Sequence, residues 1–291
     1  MKPAPFRYIA ATSLDHALSL KAQYGEDARF LAGGQSLIPA MNFRLARPAV
    51  LIDINALTEL AGIDRTNGQI RIRALTRFRA IERDSTLLRD SPLFADALPH
   101  IAHPQIRNRG TIGGNLAHAD PASELPAIAL AMQARIRIRS WRGEREIAAS
   151  DFFIGALTID LQPDEMLVEA AFSAPGPRVG ACFAEVARRR GDFALAGVAA
   201  VISLDPEGRC SQARLALCGV GDTPVDASPA ASSLIGERCT EQAIETVAAD
   251  VRNSIRPFGN VHASGDYQRH IAGVLVRRAI ATARNRVAHA P

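Results

Sequence analysis

Leu14, Ala17, Leu18 and Leu20 recur at helical spacing behind Ser13, a residue type that caps helix starts, so a short helix is expected there. Phe30-Leu31-Ala32 reads as a short strand ending at Gly33-Gly34, and Val50-Leu51-Ile52-Asp53-Ile54 is a compact apolar run between Pro48 and Asn55 that suits a buried strand. Residues 1–56 therefore form a small α/β lobe. From about Leu60 the pattern changes. Gln69-Ile70-Arg71-Ile72-Arg73-Ala74-Leu75 alternates apolar with polar, as a strand with one wet face does, and Asn67-Gly68 before it is a hairpin signal. Arg79 to Leu88 and Leu93 to Ala102 have helical spacing, and Glu124 to Met132 predicts a helix behind a glycine-rich turn. Ala134-Arg135-Ile136-Arg137-Ile138-Arg139 alternates again, with a turn at Gly143 before Arg145-Glu146-Ile147. The second lobe is thus mixed, with strands at least partly antiparallel.

Ser173-Ala-Pro-Gly-Pro-Arg178 marks a boundary. Beyond it, Ala181 to Val186, Ala196 to Leu204 and Ala213 to Val220 are strand-like, with a turn at Gly208. Thr240 to Val251 and Tyr267 to Arg286 are helical, the latter with Ile271, Leu275, Ala279 and Ala283 on one stripe. No repeat of fixed period is present.

Composition removes several function classes. The chain has 291 residues, enough for two domains, and a hydrophobic content of 47% supports sizeable cores. Its net charge of +4 is carried by arginines interleaved with acidic residues, and only 5% of residues are aromatic. A nucleic-acid surface would need clustered basic residues with stacking rings, so none is expected. Within Arg188-Arg189-Arg190, at least two side chains are read as a solvated face. No apolar stretch approaches a membrane span, and Met1 to Phe6 leads into mixed polar sequence rather than a secretory leader, so a cytoplasmic location is expected. The four cysteines, Cys182, Cys210, Cys218 and Cys239, are widely spaced with no C-x-x-C pair. They are read as buried free thiols rather than ligands of zinc or an iron–sulfur cluster. His100 and His103 flank Ile101-Ala102 but Pro104 ends that turn, and His118, Asp120 and Glu124 lack a strict ligand spacing, so no metal site is expected. No hydrolase motif occurs, and chemistry here must come largely from a bound cofactor.

Two glycine-paired segments remain, Ala32-Gly33-Gly34-Gln35-Ser36 and Thr111-Ile112-Gly113-Gly114-Asn115. Glycine reaches positive φ cheaply and lets backbone approach a ligand, so successive N–H groups can converge on an anion. Neither segment has the spacing of a G-x-G-x-x-G or a P-loop. Each alone is an ordinary turn signal; together, one in each lobe, they suggest two backbone cradles closing on one phosphorylated ligand.

The same residues carry a family resemblance. Ala32-Gly33-Gly34-Gln35-Ser36-Leu37 together with Arg107-Asn108-Arg109-Gly110-Thr111-Ile112-Gly113-Gly114-Asn115 resembles the paired signature of the FAD-binding medium subunit of molybdenum hydroxylases, the family of carbon monoxide dehydrogenase and xanthine dehydrogenase. Arg189-Arg190-Gly191-Asp192-Phe193-Ala194 resembles a further family stretch, and the likeness covers nearly the whole chain. It implies an α+β fold: a two-lobed FAD-binding domain of the vanillyl-alcohol-oxidase/PCMH type over 1–175, with lobes of about 1–56 and 57–175, then a C-terminal domain over 178–288 with a three-stranded antiparallel sheet plus helices.

Site roles follow from the resemblance. Ala32 to Ser36, continuing into Leu37, and Thr111 to Asn115 are expected to wrap the FAD pyrophosphate with backbone N–H groups. Glu124 stands where relatives usually carry Asp, at the adenosine end, and is expected to keep that charge. Leu161 matches an apolar contact, and Arg190 and Phe193 stand where relatives often have Lys and Tyr, so Phe193 is left a packing role. The implied subunit hands electrons from two [2Fe–2S] clusters on a small subunit through FAD to an external acceptor, beside a large subunit with the molybdenum cofactor, in a dimer of heterotrimers. Two alternatives stand beside it: a scaffold that has lost its flavin, and a free-standing flavin reductase.

Overall fold

The computed structural model describes residues 2–288, with Ala288 described by its backbone. In the first lobe, β1 (Arg7–Ala10), α1 (Leu14–Tyr24), β2 (Ala28–Leu31), α2 (Leu37–Asn42) and β3 (Val50–Asp53) follow in sequence. The strands form a parallel sheet in the order β1-β3-β2, with Tyr8 beside Leu51 and Phe30 beside Ile52. Ser13 caps α1 by accepting from the His16 N–H at 3.1 Å, and Ala17, Leu18 and Leu20 are buried in a core shared with Val50 and Ile52.

The second lobe contains β4 (Ile63–Thr66), β5 (Gln69–Arg73), α3 (Phe78–Arg83), α4 (Ser85–Asp90), α5 (Pro92–Ala97), α6 (Pro104–Arg107), α7 (Ile112–His118), α8 (Glu124–Ala131), β6 (Arg135–Ser140), β7 (Gly143–Ala148), α9 (Ala149–Phe152), a small hairpin of β8 (Phe153–Gly155) and β9 (Thr158–Ile159), and β10 (Met166–Ser173). Its main sheet is antiparallel in the order β4-β5-β10-β6-β7, so the last strand of the lobe inserts between two earlier ones. Asn67 and Gly68 both take positive φ, 52° and 70°, giving the expected hairpin. The helix expected over 79–88 is broken: Asp84 ends α3 and its carboxylate accepts from the Leu87 N–H at 2.9 Å, starting α4. That expected over 93–102 stops at Ala97, and Ala102 has a φ of 47°. Met166 and Val168 of β10, with Leu75, enter the core of the first lobe, so the two lobes share apolar packing.

The C-terminal part contains β11 (Val179–Ala187), β12 (Ala194–Leu204), β13 (Cys210–Cys218), β14 (Val225–Asp226), α10 (Ser228–Ala231), α11 (Glu241–Ser254) and α12 (Gly265–Ala288). Three long antiparallel strands carry the sheet, and β14 extends it by two residues in the order β11-β12-β13-β14. One face packs against α11 and α12 through Val198, Ala200, Ile202, Leu215, Val247 and Val276. The other sends Ala181, Phe183, Ala199 and Val201 into the core of the second lobe. All four cysteines are buried and free.

Candidate cofactor site

The first glycine segment begins where β2 ends. A Cβ on Gly33 would lie 2.5 Å from the Arg109 carbonyl oxygen and 2.9 Å from Gly110 Cα, so only glycine allows this approach of the two lobes. Gly34 follows with φ at 73°, a left-handed conformation that favours glycine, and the Gln35 amide donates to the Gly33 carbonyl at 3.0 Å. Among the described residues, the backbone N–H groups of Gly33, Gly34, Gln35, Ser36 and Leu37 have no acceptor. Successive backbone donors without protein partners are the kind of group that can converge on an anion.

The second segment is a helix start rather than a loop. Thr111 caps α7, its hydroxyl accepting from the Gly114 N–H at 3.1 Å, while Ile112 and Gly113 donate to the carbonyls of Thr76 and Ala74 at 3.1 and 2.9 Å. Asn115 donates to the Thr111 carbonyl at 3.0 Å. The N–H groups from Ile112 to Asn115 are therefore already engaged by the protein. Gly113 is required by packing, since a Cβ there would come within 2.5 Å of Ala74 Cβ. Gly114 is exposed, and a Cβ on it would meet only the Thr111 hydroxyl, at 2.8 Å. The Asn115 side-chain oxygen accepts from the Ser123 hydroxyl at 2.9 Å, which leaves its amide NH2 to serve a ligand.

The remaining sequence candidates lie on three other elements. Glu124 opens α8, directly after Ser123, and is buried. Burial, reinforced by the nearby Glu185 carboxylate, pushes its pKa up to about 8, which favours the protonated carboxyl at neutral pH over the charged form the resemblance implies. Leu161 follows the β8–β9 hairpin, which is tied to the end of α7 by the Leu157 N–H donating to the Ala119 carbonyl at 3.2 Å, and packs against the main core. Arg190 and Phe193 lie in the β11–β12 connection, both exposed, with Arg190 Nε 3.4 Å from the Pro99 carbonyl. Between them Gly191, at φ 89°, packs where a Cβ would be 2.6 Å from the His103 ring. The structure packs Gly33 of the first glycine segment against the Arg109–Gly110 backbone that leads into the second; Leu161 is joined to α7 through the hairpin, and the Arg190 loop approaches from the C-terminal part. Arg188 and Arg189 are exposed, as expected.

Residues 4–172 match the family described as the FAD binding domain in molybdopterin dehydrogenase, and residues 181–283 the CO dehydrogenase flavoprotein C-terminal domain. The chain belongs to the FAD-binding medium subunits of molybdenum hydroxylases. Subunit alpha of the 6-hydroxypseudooxynicotine dehydrogenase complex of Paenarthrobacter nicotinovorans is 40% identical to it, over 98% of this chain and 97% of that protein. The solved carbon monoxide dehydrogenase of Hydrogenophaga pseudoflava superposes with a TM-score of 0.95 at 36% identity, over 98% of this chain and 99% of its own. Quinoline 2-oxidoreductase from Pseudomonas putida 86 superposes at 0.93 with 35% identity, covering 99% of both. This medium subunit is an FAD-binding oxidoreductase subunit, and among its described residues no helix is long and apolar enough to cross a membrane.

Sequence reasoning missed two groups near the site. Arg77 and Asn55 bridge the lobes beside the glycine segments. Glu185, with its side chain 1% exposed and its Oε1 3.1 Å from His100 Nδ1, sits under the Glu124 end. Neither has a local signature. Asn55 was legible only as the end of an apolar run, and Glu185 is an acidic residue in a strand whose burial comes from the helices laid against it.

Proposed function

We propose that the medium subunit holds the FAD pyrophosphate between its lobes, with Gly33 to Leu37 donating backbone N–H groups from one side and Thr111 to Asn115 supplying an exposed glycine face and the Asn115 amide from the other. The observation that carries this is the run of unpartnered donors from Gly33 to Leu37, which begins where Gly33 packs against the Arg109–Gly110 backbone. Those donors, with Arg77 and Arg109 close by, suit the two negative charges of a pyrophosphate. In this reading Ala32 and Ser36 complete the first cradle, Glu124 acts through a protonated carboxyl toward the adenosine end, and Leu161, Arg190 and Phe193 contact the remainder of the cofactor. Phe193 has no hydroxyl and contributes ring packing, its side chain being exposed for contact.

Bound FAD supplies the redox chemistry; the protein supplies binding, orientation and electrostatics. We further propose that electrons enter from [2Fe–2S] clusters on a small subunit and leave to an external acceptor, with the molybdenum cofactor on a large subunit, in a dimer of heterotrimers working in the cytoplasm. The four thiols of this chain are buried, and only Cys210 and Cys239 lie side by side, too few for a cluster's ligand set, which supports cluster ligation elsewhere. Relatives named for carbon monoxide, quinoline and 6-hydroxypseudooxynicotine share this subunit's architecture, which supports substrate choice by another chain.

Two measurements test this. Gly34→Val forces a branched side chain into positive φ, and Gly114→Val pushes against the Thr111 hydroxyl; both variants are expected to lose most of their bound FAD, read from the flavin absorbance of the purified protein. Full retention in both would refute the two-sided cradle. In the assembled enzyme, substrate should reduce the iron–sulfur centres and then bleach the flavin; clusters that reduce while the flavin stays oxidised would overturn the electron path.

A further inference from the structure

Arg77 precedes α3 and is half-buried. Its backbone belongs to the second lobe: it bridges to Thr111, and the next residue, Phe78, donates to the Gly110 carbonyl at 3.0 Å. Its side chain reaches the first lobe. Nη2 donates to Asn55 Oδ1 at 2.5 Å, and Nη1 donates to the carbonyl of Arg109. Asn55 is itself held in place. Its Nδ2 donates to the Leu31 carbonyl at 3.2 Å and to Asp53 Oδ1 at 2.6 Å, and its N–H reaches the same carboxylate oxygen at 2.8 Å. The other oxygen of Asp53 accepts from the Tyr8 hydroxyl at 2.5 Å.

The two carbonyls at the ends of this chain of bonds matter most. Leu31 is the last residue of β2, immediately before the first glycine segment. The Arg109 carbonyl is the atom Gly33 packs against. One guanidinium and one amide therefore span the end of the first lobe's strand and the backbone leading into α7. A lysine could reach one of these acceptors but not grip both, because an ammonium lacks the rigid planar fork. The arrangement also places Arg77 next to Arg109, with Asp53 as an opposing charge, and burial weakens the hold of Arg77 on its proton.

We propose that Arg77 is a positioning residue for the cofactor: acting through Asn55 and the Arg109 carbonyl, it sets the gap between the two glycine segments. This rests on the reading of those segments as the FAD site. It assigns Arg77 a geometric role, distinct from attraction of its charge to phosphate.

The test compares full-length R77A, R77K, N55A and the R77A/N55A double variant by FAD dissociation constant, the visible circular dichroism of bound flavin, and the melting temperature of the flavin-free chain. R77A, R77K and N55A are each expected to weaken FAD binding at least about tenfold and to alter the dichroism of the flavin that remains, and the double variant to bind no more weakly than the poorer single. Wild-type affinity in R77K would overturn the clasp, since charge alone would then suffice. Losses that multiply in the double variant would overturn it too, because the two residues would be acting separately. So would an unaltered dichroism with affinity falling only in step with the melting temperature, the mark of a purely structural role. Retention of FAD by the Gly34→Val and Gly114→Val variants would remove the site itself, a separate outcome.

Discussion

At the residue scale, Glu124 shows how burial changes what a side chain is. A carboxylate in water ionises near pH 4.5, whereas burial and the Glu185 carboxylate lift Glu124 to about 8, with His100 partly offsetting them and Asp120 adding to them. His100 is itself raised by its close approach to the Glu185 carboxylate, 3.1 Å from Nδ1, against burial and the nearby Arg190. Both groups bind a proton more tightly folded than unfolded, so the stability they contribute is complete below their unfolded values and is lost as pH rises through the folded ones. The flavin-free chain should therefore melt lower at about pH 9 than at about pH 6, and Glu124→Gln, permanently neutral, should shrink that difference by a few degrees, with the His100 share left in place. Calorimetry at the two pH values checks this; an unchanged difference would mean Glu124 is ionised in the fold. Type and position of this residue were readable from the family spacing. Its protonation was not, because Glu185 and His100 reach it from elements far away in sequence.

At the element scale, α7 shows where local pattern misleads. Thr111-Ile112-Gly113-Gly114-Asn115 reads as a glycine turn, since two glycines lower helix propensity by about 2 kcal/mol against alanine. The structure makes it the first turn of a helix because Gly113 must lie against Ala74 and Thr111 supplies the cap. Thr111→Ala should cost about 1 kcal/mol of stability, readable by denaturant titration, and reduce FAD retention because Gly114 loses its fixed place. Unchanged FAD affinity would show that the cap serves the helix alone. Strands with one wet face, such as β5 and β6, were legible from alternation. The central strand β10, Met-Leu-Val-Glu-Ala-Ala-Phe-Ser, was not: it is buried nearly throughout and so carries no alternating signal. The break at Asp84 was hidden likewise, since a helical spacing of apolar residues continued across it.

At the scale of the whole molecule, few polar contacts join the C-terminal part to the rest, and Asp96 of α5 is central to them. Its carboxylate accepts from Arg286 of α12 at 2.6 and 3.0 Å and from the Phe183 N–H of β11 at 3.0 Å. Asp96→Ala leaves that N–H without its acceptor and the Arg286 guanidinium with the Ala181 carbonyl but no carboxylate, and should destabilise the chain by about 2 kcal/mol, with earlier protease cleavage near the 173–178 connection as the readout. The sequence by itself determined the two glycine segments, the division into a two-lobed part and a C-terminal α+β part, and the family, because these rest on residue types at fixed spacing that only certain backbones accept. Tertiary structure alone decided that Gly114 is exposed while Gly113 lies against Ala74, that burial and Glu185 raise the pKa of Glu124, and that Arg77 and Asn55 join the lobes. Those properties arise from contacts between residues far apart along the chain, where burial, charge and hydrogen-bond geometry are set by the partner rather than by the residue.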